Sequence, residues 1–272
     1  WGDVGEACLS RRFVDMTSLD RRHLRMVDMA EQMLVDMGLG GAQVFFHTLG
    51  DRVTTLARIR VPERLRALVF DAVTRDYLAA HPRATVVALA EGLQTSFWRV
   101  DNGEMTWLSV DLAPIIALRK QVLPTPDRLG YCAQSALDHS WMDAVDDSDG
   151  VVITAEGLFQ YLTADVVFDL IVACAARFPN GQLLFDSVPR LLSAYSQRRG
   201  FRLSEHYTVP PMPFWFTADQ YPRLQSIPGV RNVSELRYPA GRGKLVPWAT
   251  RQSYRLSALA RFRAPVTLVE FT

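Results

Sequence analysis

The sequence lacks the features that mark secreted, membrane and nucleic-acid-binding proteins. Its 272 residues include only three cysteines, widely spaced, which argues against a disulfide framework and favours a reducing compartment. No apolar run approaches the roughly 20 residues of a membrane span, and no stretch has the pattern of a signal peptide. Thirty basic residues are balanced by twenty-nine acidic ones, without a basic block. We therefore expect a cytoplasmic protein with neither a membrane nor a nucleic-acid partner.

Metal-binding patterns, internal repeats and low-complexity linkers are also missing. No His-x-x-x-His or Cys-x-x-Cys spacing occurs, so no metal site is expected. The chain is 49% hydrophobic and 22% charged, which is the balance of a globular protein with a full core. Its length fits one large domain, or one domain with a sizeable insertion.

Strand-like and helix-like segments alternate through most of the chain. Strands are predicted at residues 85–90, 107–112, 151–155 and 182–185. Helices are predicted at residues 62–80, 114–123, 163–178 and 189–199. This alternation is typical of βαβ units, so we expect an α/β fold with a doubly wound, mostly parallel sheet. Two later strand-like runs, residues 230–238 and 265–271, have no long helix between them and predict an antiparallel edge.

Two regions depart from this alternation. Residues 1–60 are predicted to form a helical cap region, with a helix near residues 18–37 that places four methionines on one face. That face is either a buried stripe or a flexible wall over an apolar ligand. Residues 61–272 would form the main domain, with a lid or substrate insert near residues 200–225. The insert contains EHYTVPPMPFWF, which is too rich in proline for a central strand.

The turn after the first predicted strand raises the question of its ligand. Turns that hold a pyrophosphate carry several glycines, whereas this one has only Gly92, next to Glu91. An acidic side chain would repel a pyrophosphate but favour a cationic ligand such as S-adenosylmethionine, so an NAD-dependent dehydrogenase is disfavoured. Asp111 follows Gly92 by nineteen positions, close to the ~20-residue offset at which an acidic residue binds ribose hydroxyls. The alternative interpretation of Asp111 is a helix cap.

Four blocks carry a family resemblance. In order, between residues 66 and 188, they are VVALAEGLQTSFWRVDNGEMTWLSVDLAPIIALRKQVLP, SALDHSWMD, ITAEGLFQYL and FPNGQLLFDSV. Together they resemble the S-adenosylmethionine-dependent O-methyltransferases of the leucine carboxyl methyltransferase group, most closely the bacterial tetracenomycin-polyketide branch. The resemblance implies a class I methyltransferase (Rossmann-like) fold with a helical or loop cap, and S-adenosyl-L-methionine as cofactor.

The resemblance also implies the residues that bind the cofactor. Arg66 would bind the methionine carboxylate, Asp111 the ribose hydroxyls, and Glu156 would lie near the methionine amino group or the reacting centre. The alternatives are a solvated arginine at position 66 and a structural cap at position 156. The full implied set is Arg66, Ala90, Glu91, Gly92, Asp111, Leu112, Ala136, Leu137, Asp138 and Glu156.

Three positions depart from the family pattern. Ala90 stands where the family has glycine, Gln94 where it has aspartate, and Ser96 where many members have arginine. Alanine is tolerated at position 90 if its φ is negative, whereas a positive φ would cost about 1 kcal/mol or more. Ala90 and Gln94 support the alternative function, a catalytically altered relative that binds S-adenosylmethionine or another ligand without methyl transfer, as a cyclase or a regulator.

The acceptor is expected to be a hydrophobic small molecule of the polyketide type, made in secondary metabolism. A carboxylate acceptor needs no general base, whereas a phenol does, and the absence of metal-ligand spacing argues against magnesium-dependent catechol chemistry. His206 and Tyr207 are the candidate catalytic residues, and His47 and His139 are weaker candidates. A homodimer is left open. The predicted acceptor pocket is apolar and aromatic, built from Phe45, Phe46, Met212, Phe214, Trp215 and Phe216.

Overall fold

The computed structural model describes residues 60–199, 201–202, 208–238 and 264–272, all within the compact unit Thr54–Thr272. The catalytic candidates His206 and Tyr207 lie outside these residues. So do His47, the two phenylalanines at positions 45 and 46, and the predicted methionine-rich helix. The division into a cap region and a main domain therefore stays a prediction.

One large sheet organises the described part of the chain. Its strands are β1 (Thr85–Leu89), β2 (Thr106–Asp111), β3 (Leu129–Ala133), β4 (Val151–Ala155), β5 (Gln182–Asp186), β8 (Val230–Leu236) and β9 (Val266–Phe271). Their spatial order is β3-β2-β1-β4-β5-β9-β8. The first five strands are parallel, and β9 is antiparallel to both β5 and β8. The predicted parallel sheet with an antiparallel edge is confirmed. A separate antiparallel pair joins β6 (Phe201–Arg202) and β7 (Thr208–Val209).

Helices connect the parallel strands close to where the sequence predicts them. The described α-helices are α1 (Arg60–Ala80), α2 (Ser96–Val100), α3 (Ala113–Val122), α4 (Ala164–Arg177), α5 (Arg190–Arg199) and α6 (Tyr221–Gln225). Helix α1 ends before His81-Pro82 because a residue that precedes proline is disfavoured in the helical conformation. Pro114 lies in the first turn of α3, where a main-chain N–H would have no partner within the helix. Among the described residues, no helix combines the length and apolarity needed to cross a membrane.

Both faces of the sheet are covered. All five residues of β1 and all five of β4 are buried, which explains their continuous apolar sequences. Successive residues of β1 alternate between two hydrophobic clusters, so that Val87 packs with α4 residues and Val86 with α1 residues. The alternation of side chains along a strand thus places one helical layer on each face, as a doubly wound fold requires.

Strand β3 was not predicted from the sequence. Among the described strands it lies at an edge of the sheet and pairs only with β2, and of its five residues only Leu129 is buried. Its sequence, LGYCA, contains a glycine and lacks a continuous apolar run. A half-exposed edge strand therefore gives no clear pattern.

The proline-aromatic segment packs differently from the prediction. Met212, Phe214 and Phe216 are 6%, 2% and 1% exposed, and they alternate with the half-buried Pro213 and Trp215. The ring of Phe216 stacks on Tyr221 and meets Phe185 edge-on in the main core. The prediction that Phe214 and Phe216 line an acceptor pocket is therefore wrong, because both rings fill the core beside β5.

Candidate active site

The parallel strands bring the predicted site residues to one edge of the sheet. Strands β1, β2, β4 and β5 end nearly level, because their registers pair the last residues of neighbouring strands. In an open α/β sheet, ligands bind beyond these carboxyl ends. The residues at or directly after them are Ala90, Asp111, Glu156 and Asp186.

The turn that follows β1 contains two residues in the left-handed region. Ala90 has a φ of 50° and Gly92 a φ of 57°. The turn is closed by a hydrogen bond from Gln94 N to Glu91 O, at 3.0 Å. A left-handed conformation is free for glycine, whereas the Cβ of alanine makes it strained by roughly 1–2 kcal/mol. Position 90 thus holds the conformation that the family's glycine suits, and here alanine adopts it under strain.

Asp111, at the end of β2, is fixed by main-chain groups on both oxygens. Its Oδ2 accepts from Gly92 N at 2.9 Å and its Oδ1 from Leu112 N at 2.8 Å, with the residue 5% exposed. Burial raises the pKa of this carboxyl, although both hydrogen bonds oppose the shift. The side chain does not cap the following helix, so the alternative interpretation as a cap is wrong. An ionised carboxylate has about four acceptor sites, so two of them stay available to a pair of hydroxyls.

Glu91 is buried, and its carboxylate is paired with groups of the protein. Its side chain is only 3% exposed, and its Oε1 accepts from Trp107 Nε1 at 3.1 Å and lies 3.1 Å from Arg119 Nη2. Burial raises the pKa of Glu91 to about 7, while the nearby guanidinium of Arg119 opposes the shift. Arg119 is thus the charged partner of this carboxylate inside the core, and the predicted effect of Glu91 on a ligand stays a prediction.

Arg66 is held between two carboxylates at the carboxyl ends of β4 and β5. Its Nε donates to Glu156 Oε1 at 2.9 Å and its Nη1 to Asp186 Oδ2 at 3.0 Å. The other oxygen of Asp186 accepts from Gly157 N. Burial raises the pKa of Glu156, with a further contribution from Asp186, while Arg66 opposes the shift. Arg66 is thus an ordered part of the site, and the alternative of a solvated helix arginine is wrong.

The sequence did not indicate two features of this edge, namely Asp186 and an ion pair between Arg99 and Asp71. Asp186 is the last residue of β5, and an acidic residue at a strand end is the signal that could have indicated it. The second is a bidentate pair in which Arg99 donates to both oxygens of Asp71, at 2.7 and 3.0 Å. The same guanidinium donates to Ser96 Oγ at 2.8 Å. These bonds join α2 to α1. Asp71 and Ser96 also line a small cavity together with Glu156.

The loop after β3 exposes one apolar side chain, Leu137, among polar residues. Ala136 is buried, and its carbonyl accepts from Trp141 Nε1 at 3.0 Å. Leu137 is 40% exposed, which suits a residue that stacks on a ring. Asp138 accepts from the main chain and hydroxyl of Ser140, at 3.1 and 2.8 Å. His139 is exposed at the start of the 3₁₀ helix His139–Ala144.

Other candidate sites in the described residues are weaker. No group of three or more His, Cys, Asp or Glu side chains is arranged there to hold a metal ion. A wider cavity of about 550 Å³ lies at the amino ends of the strands, next to His81 and Gly150. Two of its three acidic side chains, Asp147 and Asp149, are paired with arginines at 2.6 and 2.8 Å. None of the predicted site residues lines this cavity, so the carboxyl edge is the better candidate.

Known proteins resemble this chain in sequence and in fold. No protein-family model matches the chain. The chain is 27% identical over 202 residues to the tetracenomycin polyketide synthesis O-methyltransferase of Streptomyces glaucescens, covering 64% of this chain and 73% of that protein. A candidate methyltransferase of Thermobifida fusca superposes with a TM-score of 0.52 at 15% identity, over 76% of this chain and 80% of its own. A DUF574 family protein of Streptomyces avermitilis gives 0.54 at 13% identity, over 77% and 83%.

These findings bear on four predictions and leave the site residues as they were. The resemblance to the tetracenomycin-type enzymes and the fold class are confirmed. The predicted O-methyltransferase activity agrees with the name of the Streptomyces glaucescens relative, and S-adenosyl-L-methionine is supported as cofactor. The individual cofactor-binding residues stay predictions. In sequence the chain is similar to the O-methyltransferases of tetracenomycin-type polyketide synthesis, and its sheet has the fold of the class I methyltransferases.

Proposed function

We propose that this protein transfers the methyl group of S-adenosylmethionine to a carboxylate or phenolic oxygen of a hydrophobic, polyketide-like small molecule. The observation that carries the proposal is the contact between Asp111 and Gly92 N, at 2.9 Å, where β1 and β2 end. It couples the residue proposed to bind the ribose to the turn proposed to bind the methionine part. The polyketide class of the acceptor rests on the name of the Streptomyces glaucescens relative.

The ribose end of the cofactor fits Asp111. Its two occupied acceptor positions fix the orientation of the carboxylate before a ligand arrives, so the entropy of ordering it has already been lost. The two remaining acceptor positions match the adjacent 2′- and 3′-hydroxyls of a ribose. Leu112 and the exposed Leu137 would contact the nucleoside, and Ala136 and Asp138 would border the adenine.

The methionine end fits the cluster of Arg66, Glu156 and Asp186. With both carboxylates ionised, this cluster has one positive and two negative groups. S-adenosylmethionine has a sulfonium, an ammonium and a carboxylate, so its net charge is opposite to that of the cluster. We propose that Arg66 binds the carboxylate of the ligand and that Glu156 lies beside its ammonium group.

Methyl transfer requires the protein mainly to align the donor with the acceptor. S-adenosylmethionine supplies an electrophilic methyl group on a cationic sulfur. The side chains at the sheet edge would orient that group and exclude water, and both effects lower the barrier to a displacement. A carboxylate acceptor is already ionised at neutral pH, whereas a phenol, with a pKa near 10, needs a base. His206 and Tyr207 remain the proposed residues for that role.

A mixed apolar and cationic surface beyond β5 supports a hydrophobic acceptor. Trp215 pairs with Val188 and packs in a small cluster with Met212. The guanidinium of Arg190 lies 5.2 Å from the centre of the Trp215 ring. Because Arg190 is exposed, it is available to an acceptor with a carboxylate or a phenolate. Trp215, rather than Phe214 or Phe216, is the aromatic residue proposed to contact the acceptor.

A second candidate function rests on the strained turn. Ala90, at φ 50°, places a methyl group where the family has none, and this favours a relative with weak donor binding and no methyl transfer. Calorimetric titration with S-adenosylmethionine, S-adenosylhomocysteine and NAD separates the candidates. Methyl transfer predicts that the two adenosyl ligands bind with comparable affinity and that NAD does not bind. Loss of binding in Asp111→Ala, but not in the distant surface variant Asp146→Asn, would place the ligand at the proposed site.

We also propose a cellular location and an oligomeric state for the protein. The scarcity of cysteine supports a cytoplasmic protein, and a homodimer remains an expectation of the sequence. Sedimentation equilibrium of the full chain would distinguish a dimer from a monomer.

A further inference from the structure

We propose that Arg119 is a positioning residue for methyl transfer: with Glu91 as its counter-ion, it holds the turn at residues 90–95 in the shape that receives the methyl donor. The inference rests on the proposed function. It assigns to Glu91 a role beneath the turn instead of a contact with the ligand, and it gives a role to Arg119 that the sequence did not indicate.

Arg119 contacts the turn at residues 90–95 from its core side. It lies on α3, whose inward face also carries Ile115 and Ile116, and its side chain has no exposed surface. Its Nη1 donates to the carbonyl oxygens of Gly92 at 2.6 Å and Gln94 at 2.8 Å. One guanidinium nitrogen thus binds two main-chain oxygens of the same short turn. Hydrogen bonds from a charged donor are stronger than neutral ones, so these contacts restrain the turn firmly.

Glu91 makes this arrangement possible. A buried guanidinium without a counter-ion would be strongly unfavourable, and the Oε1 of Glu91 lies 3.1 Å from Arg119 Nη2. Trp107 Nε1 donates to the same oxygen from β2, at 3.1 Å. The acidic residue that distinguishes this turn from a glycine-rich one therefore belongs to the support of the turn.

The strain at Ala90 shows why support is needed. Residues in rarely populated conformations persist only where the surrounding structure leaves no alternative, and Ala90 has a φ of 50°. The turn is held on its ligand side by the bond from Gly92 N to Asp111, and on its core side by Arg119. Without Arg119, we expect Ala90 to relax toward negative φ and to carry Gly92 away from Asp111. The ribose and methionine positions would then no longer be aligned.

A purely structural ion pair would behave differently when both partners are replaced. Apolar residues of similar volume often replace a buried ion pair without loss of stability, because neither charge is left uncompensated. In Glu91→Leu/Arg119→Met the core should therefore remain folded, while the hydrogen bonds to Gly92 O and Gln94 O are gone. If the pair serves only stability, donor binding should recover together with folding. If Arg119 positions the turn, donor binding should stay impaired.

The experiment compares four full-length proteins by thermal unfolding and by calorimetric titration with S-adenosylhomocysteine. They are the wild type, Glu91→Leu/Arg119→Met, Arg119→Lys and the control Arg128→Met. Arg128 also donates to a main-chain oxygen, Met105 O at 2.9 Å, but it lies at the opposite edge of the sheet. We expect the double variant to unfold near the wild-type temperature and to bind S-adenosylhomocysteine about tenfold or more weakly, the effect of losing one charged hydrogen bond. The control should bind like the wild type.

Wild-type affinity in a folded double variant overturns the inference. If the double variant does not fold, Arg119→Lys decides, because lysine keeps the charge but replaces the planar guanidinium with a compact ammonium on a flexible stem. Weaker binding of S-adenosylhomocysteine to Arg119→Lys, with little change in unfolding temperature, supports positioning, whereas wild-type affinity overturns it. A wild type that does not bind S-adenosylhomocysteine contradicts the proposed function itself, which distinguishes the two failures.

Discussion

The substitution Ala90→Gly tests whether the turn is strained as its geometry indicates. Ala90 follows β1 directly, and its N–H donates to Val110 O at 2.8 Å, so its backbone cannot rotate freely. A left-handed alanine costs roughly 1–2 kcal/mol, and glycine removes that strain. Glycine also loses about 0.5–1 kcal/mol more conformational entropy on folding. The net expectation is a gain of about 1 kcal/mol in the free energy of unfolding.

The expected shift is measurable by differential scanning calorimetry. For a domain of roughly 150–250 residues, 1 kcal/mol raises the unfolding temperature by about 2–4 °C. Asn180→Gly is the matched control, because Asn180 also has a positive φ, of 61°, and lies in the loop before β5. Asparagine tolerates this conformation better than alanine does, so the control should gain less.

The same variant tests the effect of the extra methyl group on the cofactor. Removal of the Ala90 Cβ should raise the affinity for S-adenosylhomocysteine, since the family's glycine lets the backbone approach the ligand more closely. An Ala90→Gly protein that unfolds at a lower temperature than the wild type would refute the strain. Unchanged affinity together with higher stability would show that the strained turn does not limit donor binding.

Three further predictions concern the same edge of the sheet. Asp186→Asn should weaken S-adenosylhomocysteine binding about tenfold by calorimetry, because Arg66 loses a charged partner at 3.0 Å; unaltered affinity would contradict its role. Gly157→Ala and Gly103→Ala should each lower the free energy of unfolding by about 1 kcal/mol, since the φ values of these glycines are +77° and +86°. Only Gly157→Ala should also reduce the binding of S-adenosylhomocysteine, because its Cβ would lie 3.6 Å from Arg66. The pKa of Glu91 is raised from 4.5 to about 7, so its contribution to stability is full below pH 4.5 and is lost as the pH rises through 7. Urea unfolding at pH 5 and pH 8 should show a smaller loss in Glu91→Gln than in the wild type, and equal losses would contradict the shift.

The sequence could predict elements whose pattern is local. Strands β1 and β4 are continuous apolar runs because both their faces are buried, and their ends could be placed within one or two residues. Strand β3 could not be predicted, because its exposed residues give no continuous apolar run. The segment MPFWF could be predicted as aromatic but not assigned to the core or to a pocket, because that choice depends on how Phe216 meets β5.

The site was predictable in its position but not in its contacts. Asp111 could be predicted because its spacing from Gly92 is fixed by a short βαβ unit. The direction of the Glu91 side chain could not, because it depends on Arg119, which reaches the turn across a separation of 27 residues from Gly92. The pairing of Arg66 with Asp186 spans 120 residues and depends on the order of β4 and β5 in the sheet. Contacts of this kind follow from topology, which no local pattern encodes.

A crystal structure of the protein with S-adenosylhomocysteine is the most direct test of the proposed cofactor site. We predict that both ribose hydroxyls bind Asp111, that the amino-acid end of the ligand lies against Arg66 and Glu156, and that the adenine contacts Leu137. Electron density for the ligand at the amino ends of the strands, or a carboxyl edge closed by protein atoms in the complex, would contradict this account.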